Sequence, residues 1–325
     1  MVELQHWHPV SSAGDLQQTP LAVQLLGRDL VLWRDDTGAP QAFADQCPHR
    51  GARLSLGRVV QGRLECAYHG WQFAAGGQCV KVPALPTFVP PATHGAKAFD
   101  VREAQGLVWL RLKAGHVALP TFEAENDAGL RKINCGPYDV ATSAPRIVEN
   151  FLDMSHFGFV HEGWLGTRDA TAIDDYQVAP TASGISATGC KAWQPQASVH
   201  ATGPAQVEYT YEVTGPYTAV LTKVPEAGTT AVANWRESIA LYVCPLTPET
   251  SRVWFRLAVA DFDSPDAKLQ AFQHTIFTQD RPVLESQVPK RLPLDLRAEL
   301  HTTADKASSA YRRFLKGSGI TFGVC

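Results

Sequence analysis

The chain has 325 residues, 45% of them hydrophobic, with 29 basic against 32 acidic side chains and a net charge of −3. That is enough apolar material for two ordinary cores, and the near balance of charge excludes a global attraction to nucleic acid or anionic lipid as partners. The opening MVELQHWHPV has no basic segment followed by an apolar run, and no apolar run approaches the ~18 residues of a membrane helix, so the chain reads as cytoplasmic, with no membrane association.

Residues 21–113 are short alternating or apolar runs (LVLWR, QAFA, RLECAYHGWQF, QCVKVP, GLVWLRL) separated by Gly, Pro and Asp turns. They predict one all-β domain. The Pro-rich stretch VPALPTFVPPATHGAKAF lies within it, and the shift at AGHVALPTFEAENDAG places a boundary near residue 118. The expected domains are 1–118 and 119–325.

Inside the β domain, Cys47-Pro-His49 and Cys66-Ala-Tyr-His69 are separated by residues 50–65. Zinc accepts two thiolates and two imidazoles, but its sites usually pair Cys with Cys and His with His. A Rieske [2Fe-2S] centre needs two cysteines on one iron and two histidines on the other, so each arm must bring one ligand of each kind. Cys47 with His49 and Cys66 with His69 do that. Gly51 and Gly70 suit two tight loops passing close to bridging sulfides. The other cysteines, Cys79, Cys135, Cys190, Cys244 and Cys325, show no paired spacing and read as small buried hydrophobes.

Beyond the boundary, SAPRIVENFLDMSHFGFVHEG has helical spacing, residues 183–260 return to strands, and SPDAKLQAFQHTIFTQDRPVLESQV is again helical. The expectation is an α+β domain with a long helix on a curved antiparallel sheet. On the first helix Asp153 and His156 would share a face after Asn150. His161 could join His156 at one metal only if the helix loosened between them, which Gly158 would permit. A carboxylate completing a two-His set leaves coordination positions open on ferrous iron. Asp280 is the candidate, since it lies on the apolar stripe Leu269, Phe272, Ile276, Leu284 and Val288, where an unpaired carboxylate is costly. Pro282 should distort that turn and help aim it. Glu285, off the stripe, is the second choice. Arg146, Trp164 and Trp235 could line a substrate pocket. GSGITFG near the C-terminus departs from G-x-G-x-x-G, so no nucleotide site is visible on this chain.

Taken together, Cys47-Pro-His49-Arg-Gly, Cys66-x-x-His69-Gly-Trp, Asn150-x-x-Asp153-x-x-His156-x₄-His161 and Gln279-Asp280 resemble the oxygenase (alpha) subunits of Rieske non-heme iron oxygenases over nearly the whole chain. Respiratory Rieske proteins carry an additional disulfide-bonded cysteine in each loop. Here Ala52 and Tyr68 stand in the comparable places, as in the oxygenases. SHFGFVHEGWLG and YRRFLKGSGITFGVC look most like saxitoxin-biosynthesis hydroxylases, and more distantly like vanillate or dicamba demethylases.

The resemblance implies a Rieske domain followed by a helix-grip catalytic domain, a [2Fe-2S] cluster, mononuclear Fe(II) and a homotrimer. Electrons would come from NAD(P)H through a flavin/iron-sulfur reductase. Asn150 and Asp153 would be catalytic, with Asp153 bridging His156 to His69 of the partner subunit. The expected reaction with O₂ is monooxygenation, as hydroxylation or O-demethylation of a small organic substrate; cis-dihydroxylation of an arene is the alternative. A Rieske electron carrier with a binding domain is a reading of a different class, and total iron per chain separates it from an oxygenase.

Overall fold

The alternating runs of the N-terminal part fold as ten strands: β1 His8–Ser12, β2 Leu21–Leu25, β3 Arg28–Arg34, β4 Pro40–Ala44, β5 Arg58–Val60, β6 Arg63–Glu65, β7 Gln72–Phe73, β8 Cys79–Lys81, β9 Asp100–Ala104 and β10 Leu107–Arg111. They make three small antiparallel sheets, ordered β1-β10-β9, β2-β3-β4 and β5-β6-β7-β8. Because side chains alternate along a strand, Val31 and Trp33 of β3 turn the same way. They pack with Phe43, Leu54, Leu64 and Phe73. Cys47 and Cys66 belong to that core, so the two loops are anchored at the sulfur atoms' own positions.

The computed structural model describes every residue except 197, 199 and 231–234. The chain divides into two units, Leu4–Leu119 and Met1–Glu3 with Pro120–Cys325. Residues 1–3 therefore group with the C-terminal unit, whereas the 1–118 expectation placed them in the β domain. The reason is Glu3, a fully buried carboxylate that accepts the backbone N–H of Thr321 and, at 2.8 Å, of Phe322. Among the described residues no helix is long and apolar enough to cross a membrane.

The second unit is built on a seven-stranded antiparallel sheet in the order β11-β17-β16-β15-β14-β13-β12. Its strands are β11 Arg131–Val140, β12 Gln177–Pro180, β13 Ile185–Gln194, β14 Ala205–Gly215, β15 Thr218–Pro225, β16 Glu237–Thr247 and β17 Thr250–Val259. The helices are α1 Ala144–Phe151, α2 Phe157–Val160, α3 Asp266–Ser286 and α4 Lys306–Gly317. This is the α+β architecture the sequence predicts, with β11, β12 and α4 added to it. Directly opposed residues share a sheet face. The inner face therefore shows successive rows Tyr209–Lys223–Glu237, Tyr211–Leu221–Ile239–Leu257 and Val213–Ala219–Leu241–Phe255.

Three local expectations change. The first helical segment is two helices, because α1 stops at Phe151 and α2 begins after His156. The break falls before Asp153 rather than at Gly158. Gly158 sits inside α2, where a Cβ would come within 2.7 Å of the Thr167 carbonyl, so its place is close backbone packing. In α3 the buried series is Leu269, Gln273, Phe277, Asp280 and Leu284. Val288 lies past the helix and is 88% exposed, and α3 continues to Ser286 despite Pro282. Cys325 is exposed, unlike the other six cysteines, and all seven are free thiols.

Candidate functional site

The two Rieske-type arms have the same backbone form. In the first, the Cys47 carbonyl accepts the Gly51 N–H at 2.9 Å and the Cys47 N–H donates to Ala52; in the second, the Cys66 carbonyl accepts the Gly70 N–H at 3.0 Å and the Cys66 N–H donates to Trp71. Gly51 and Gly70 have φ of +72° and +69°, where side chains are disfavoured, so both turns close tightly under their ligands. Asp45, buried, accepts the backbone N–H and the hydroxyl of Ser55, each at 2.7 Å, and stiffens the first arm.

The rings of His49 and His69 lie edge to face, 4.6 Å between centroids. Trp71 stacks on His49 at 4.5 Å, nearly parallel. His49 Nδ1 is buried and has no hydrogen-bond partner, the condition of a ring nitrogen reserved for a metal. Burial, with Cys66 alongside, pushes the Cys47 thiol up to about 11. The buried Cys47 sulfur resists becoming a thiolate on its own, and a bound cation reverses that balance. The four side chains thus fit a [2Fe-2S] cluster.

The second cluster of ligand-type groups lies where α2 meets α3. Ser143 caps α1, its hydroxyl accepting the Arg146 N–H, and Leu152 ends that helix. The Asp153 carboxylate then accepts the N–H of Ser155 at 2.9 Å and of His156 at 3.2 Å, making the turn that starts α2. The same carboxylate accepts from His156 Nδ1 at 2.9 Å. Gln279 Oε1 accepts from His161 Nδ1 at 2.8 Å.

With both Nδ1 atoms engaged, both Nε2 atoms point at one carboxylate. Asp280 Oδ1 is 3.4 Å from His156 Nε2 and 3.2 Å from His161 Nε2, and the three ligand atoms lie within 4.8 Å of one another. Asn150 Nδ2 donates to the same Asp280 oxygen at 3.4 Å. Burial pushes the Asp153 carboxyl up, but the His156 ring beside it and the Ser155 N–H outweigh that and hold it below its ordinary value. Burial lowers His156, and Asp153 followed by Asp280 raise it beyond the ordinary imidazole range. Two imidazoles held against carboxylates, with coordination positions left open, suit a ferrous ion.

Glu285 takes no part. Its carboxylate accepts the Ala141 N–H at 3.0 Å and the Arg281 guanidinium at 3.2 Å. Gln279, by contrast, carries no assigned role in the sequence, although it stands beside Asp280.

A cavity opens beside the triad, lined by Ile147, Phe151 and Phe157 from α1 and α2, by the inner rows of the sheet, and by Gln273, Ile276 and Phe277 of α3. Arg146 is not on its wall. It is buried in an ion-pair group with Glu299, at 2.6 Å, and Glu149. Trp164 packs edge-on against Phe272, and Trp235 lines a smaller adjoining cavity with Glu237 and Gln273. Gln273 and Phe277 of α3 also line the cavity, and the apolar stripe read from the sequence does not include them.

The Rieske [2Fe-2S] domain family matches residues 6–101, and the vanillate O-demethylase oxygenase C-terminal domain family matches residues 140–318. The chain is 32% identical to methylxanthine N1-demethylase NdmA of Pseudomonas putida, over 96% of this chain and 88% of the relative. This chain is a Rieske non-heme iron oxygenase. The oxygenase is also 38% identical over 67% of its length to the probable methylxanthine N7-demethylase NdmC of Pseudomonas sp. (strain TJI-51), 77% of which is covered. It superposes on Pseudomonas putida CBB5 NdmA with caffeine at a TM-score of 0.83 and 31% identity, covering 96% of this chain and 90% of the other. It is therefore an oxygenase enzyme of the monooxygenase type, the terminal component of a system that takes electrons from NAD(P)H through a reductase. Its cofactors are a Rieske [2Fe-2S] cluster and mononuclear iron.

Proposed function

We infer that this oxygenase removes a methyl group from nitrogen or oxygen on a small, planar, ring-bearing substrate. The observation that carries this reading is the cavity beside His156, His161 and Asp280. Its walls are almost wholly aliphatic and aromatic, including Phe151, Phe157, Phe255, Phe272 and Phe277, with Gln273 as a hydrogen-bonding group on α3. Such a slot holds a flat ring by its faces and presents one edge to the metal ligands. The matched relatives named as demethylases support the same class.

The overall change is R–X–CH₃ + O₂ + two electrons + two protons → R–X–CH₂OH + H₂O, with X nitrogen or oxygen. The carbinol then breaks its C–X bond to give R–XH and formaldehyde. When bound, the cluster supplies electrons and the iron activates O₂. In this proposal Cys47, His49, Cys66 and His69 hold the cluster, and His156, His161 and Asp280 hold the iron. Asn150 steadies the Asp280 carboxylate, and the phenylalanines exclude water from the reacting methyl group. Residues up to about 119 form the cluster domain and the remainder the catalytic domain.

The enzyme is cytoplasmic and works as a homotrimer, with Asp153 accepting both from His156 and from His69 of the partner subunit. The test is formaldehyde release, one per O₂ consumed, by the reconstituted oxygenase and a surrogate reductase over N-methyl and O-methyl arenes. Incorporation of both oxygen atoms into a diol from an unmethylated arene would instead favour dihydroxylation.

A further inference from the structure

The ring stacked on His49 is itself stacked on a third. Trp71 lies 4.5 Å from His49 between centroids with 6° between the planes, and His94 lies 5.4 Å from Trp71 with 5° between the planes. Phe88 extends the series, its ring 5.6 Å from that of His94. His49 is a proposed ligand of the cluster, whereas Phe88 is 39% exposed. The rings therefore run without interruption from the cluster site to the surface. Trp71, His94 and Phe88 have no part in holding the metals or the substrate.

The surface they reach is apolar and stiff. Leu85 is 56% exposed and Val89 84%, and with Phe88 they make an apolar ledge in the Pro-rich stretch 82–99. Large apolar side chains grouped in water mark a contact surface. Pro83, Pro86, Pro90 and Pro91 restrict the backbone of the ledge, and short turns close it. The Leu85 N–H donates to Val82 at 2.9 Å, the Phe88 N–H to Leu85 at 3.0 Å and the His94 N–H to Pro91 at 3.0 Å. A segment already ordered loses little entropy on docking. The ledge is also tied to the second cluster arm, since a Cβ on Gly70 would lie 3.0 Å from Pro83 Cγ.

Charge and chemistry decide the partner. Residues 82–99 contain no acidic side chain, and Arg50, next to His49, is exposed. The ledge therefore suits an apolar face with an acidic rim. The oxygenase takes its electrons from a reductase, and electron tunnelling falls steeply with distance, so the donor must come close to a cluster ligand. In the proposed trimer His69 faces Asp153 of a neighbouring subunit, which leaves His49 as the histidine by which electrons arrive. The parallel rings beyond His49 shorten the gap that a donor on the ledge would otherwise have to cross. A Rieske cluster accepts one electron at a time, which fits an iron-sulfur domain as the immediate donor.

We propose that the ledge Leu85, Phe88 and Val89 docks an acidic iron-sulfur domain of the reductase, and that electrons enter through His94 and Trp71 to His49. One electron passes from the reduced iron of the donor to the oxidised cluster; no bond forms or breaks and no proton moves. The assignment goes beyond the demethylase reading and rests on the proposed trimer only in giving His69 to the exit.

The experiment mixes the holo-oxygenase with a plant-type [2Fe-2S] ferredoxin, an acidic one-electron donor, reduced beforehand and freed of excess reductant. Stopped-flow absorption follows reduction of the Rieske cluster, and surface binding of the oxidised ferredoxin gives Kd. Val89→Glu should weaken Kd about tenfold and leave the limiting rate at saturating ferredoxin unchanged. His94→Leu should keep Kd within about twofold and slow the limiting rate about tenfold, and His94→Phe, which restores a ring, should recover most of that loss. Reduction by dithionite and the midpoint potential of the cluster should stay at wild-type values in all three, which separates the effect from cluster damage. An unchanged Kd in Val89→Glu would overturn the docking face, and a wild-type limiting rate in His94→Leu would overturn the ring route. Two further results would overturn the assignment: loss of the trimer in Val89→Glu, which makes the ledge a contact between subunits, or no reduction of the wild type by ferredoxin while dithionite reduces it. Asp153→Asn tests the trimer reading separately. Slower reduction by ferredoxin in that variant would place the donor at His69 and overturn the His94 route, whereas unaltered reoxidation would remove the bridge and leave the route standing.

Discussion

Around Cys47 and Cys66 the chain supplies four ligand-type side chains from two turns, each closed by one carbonyl–glycine hydrogen bond. Around His156 and His161 it supplies two imidazoles from the ends of a four-residue helix, then waits until α3 for Asp280 and Gln279. The first region carries its geometry in backbone turns anchored by buried cysteines. The second depends on two distant elements packing correctly, since neither α2 nor α3 alone brings three ligands together. Damage to α3 should therefore disable the iron triad while leaving the Rieske loops intact.

The largest effect expected from that asymmetry is in Asp280→Ala. Turnover should fall at least ~100-fold if Asp280 is the direct ligand proposed for it rather than a supporting contact. Bound iron should fall from three per chain to two, with the Rieske absorption unchanged. Metal analysis and the visible spectrum check both halves. Retained turnover in Asp280→Ala, with loss in Glu285→Ala, would move the ligand role to Glu285.

The same contrast explains what was legible in the sequence. The Rieske arms could be read directly because ligand identity and spacing sit within single turns, where Gly51 and Gly70 also announce the backbone form. Asp280 was legible only through its cost, as a carboxylate on an apolar stripe. The turn between Leu152 and His156 was not, because there the Asp153 carboxylate accepts the Ser155 and His156 N–H groups, hydrogen bonds that compete with helix continuation. The cavity wall was the least legible part. Lys223 and Glu237 meet across neighbouring strands and declare nothing until the register is known, and Arg146, which resembles a substrate-binding arginine, is consumed by Glu299 and Glu149.

A smaller effect should follow from Asp153→Asn, which tests the proposed link between the two regions rather than either site. The carboxylate accepts from His156 Nδ1 and from the turn N–H groups. An asparagine oxygen can keep one of these acceptances, but it brings no charge and its NH₂ is a donor. Both metals should remain, and the cluster should still be reducible. Its reoxidation on mixing the reduced protein with substrate and O₂ should slow by roughly 10- to 100-fold. Stopped-flow absorption reads this directly, and a wild-type rate would remove Asp153 from the electron path.

The smallest and most selective effect should come from Gln279, which is outside the proposed ligand set. Its Oε1 accepts from His161 Nδ1 at 2.8 Å, and the His161 side chain is only 2% exposed. Gln279→Leu keeps similar bulk but leaves that N–H buried without an acceptor, at a cost of about 1–3 kcal/mol. Rotation of the ring then becomes competitive with the orientation that aims Nε2 at Asp280. Iron affinity at the triad should fall about tenfold, the low end for loss of a ligand-orienting partner. Gln279→Glu restores an acceptor and should recover most of the loss, which a general packing defect would not do. Chelator competition measures the iron retained, with the Rieske absorption in the same sample as the internal standard. Equal retention in wild type and Gln279→Leu would show that α2 alone orients His161, and that the second region is more local than its long sequence separation suggests.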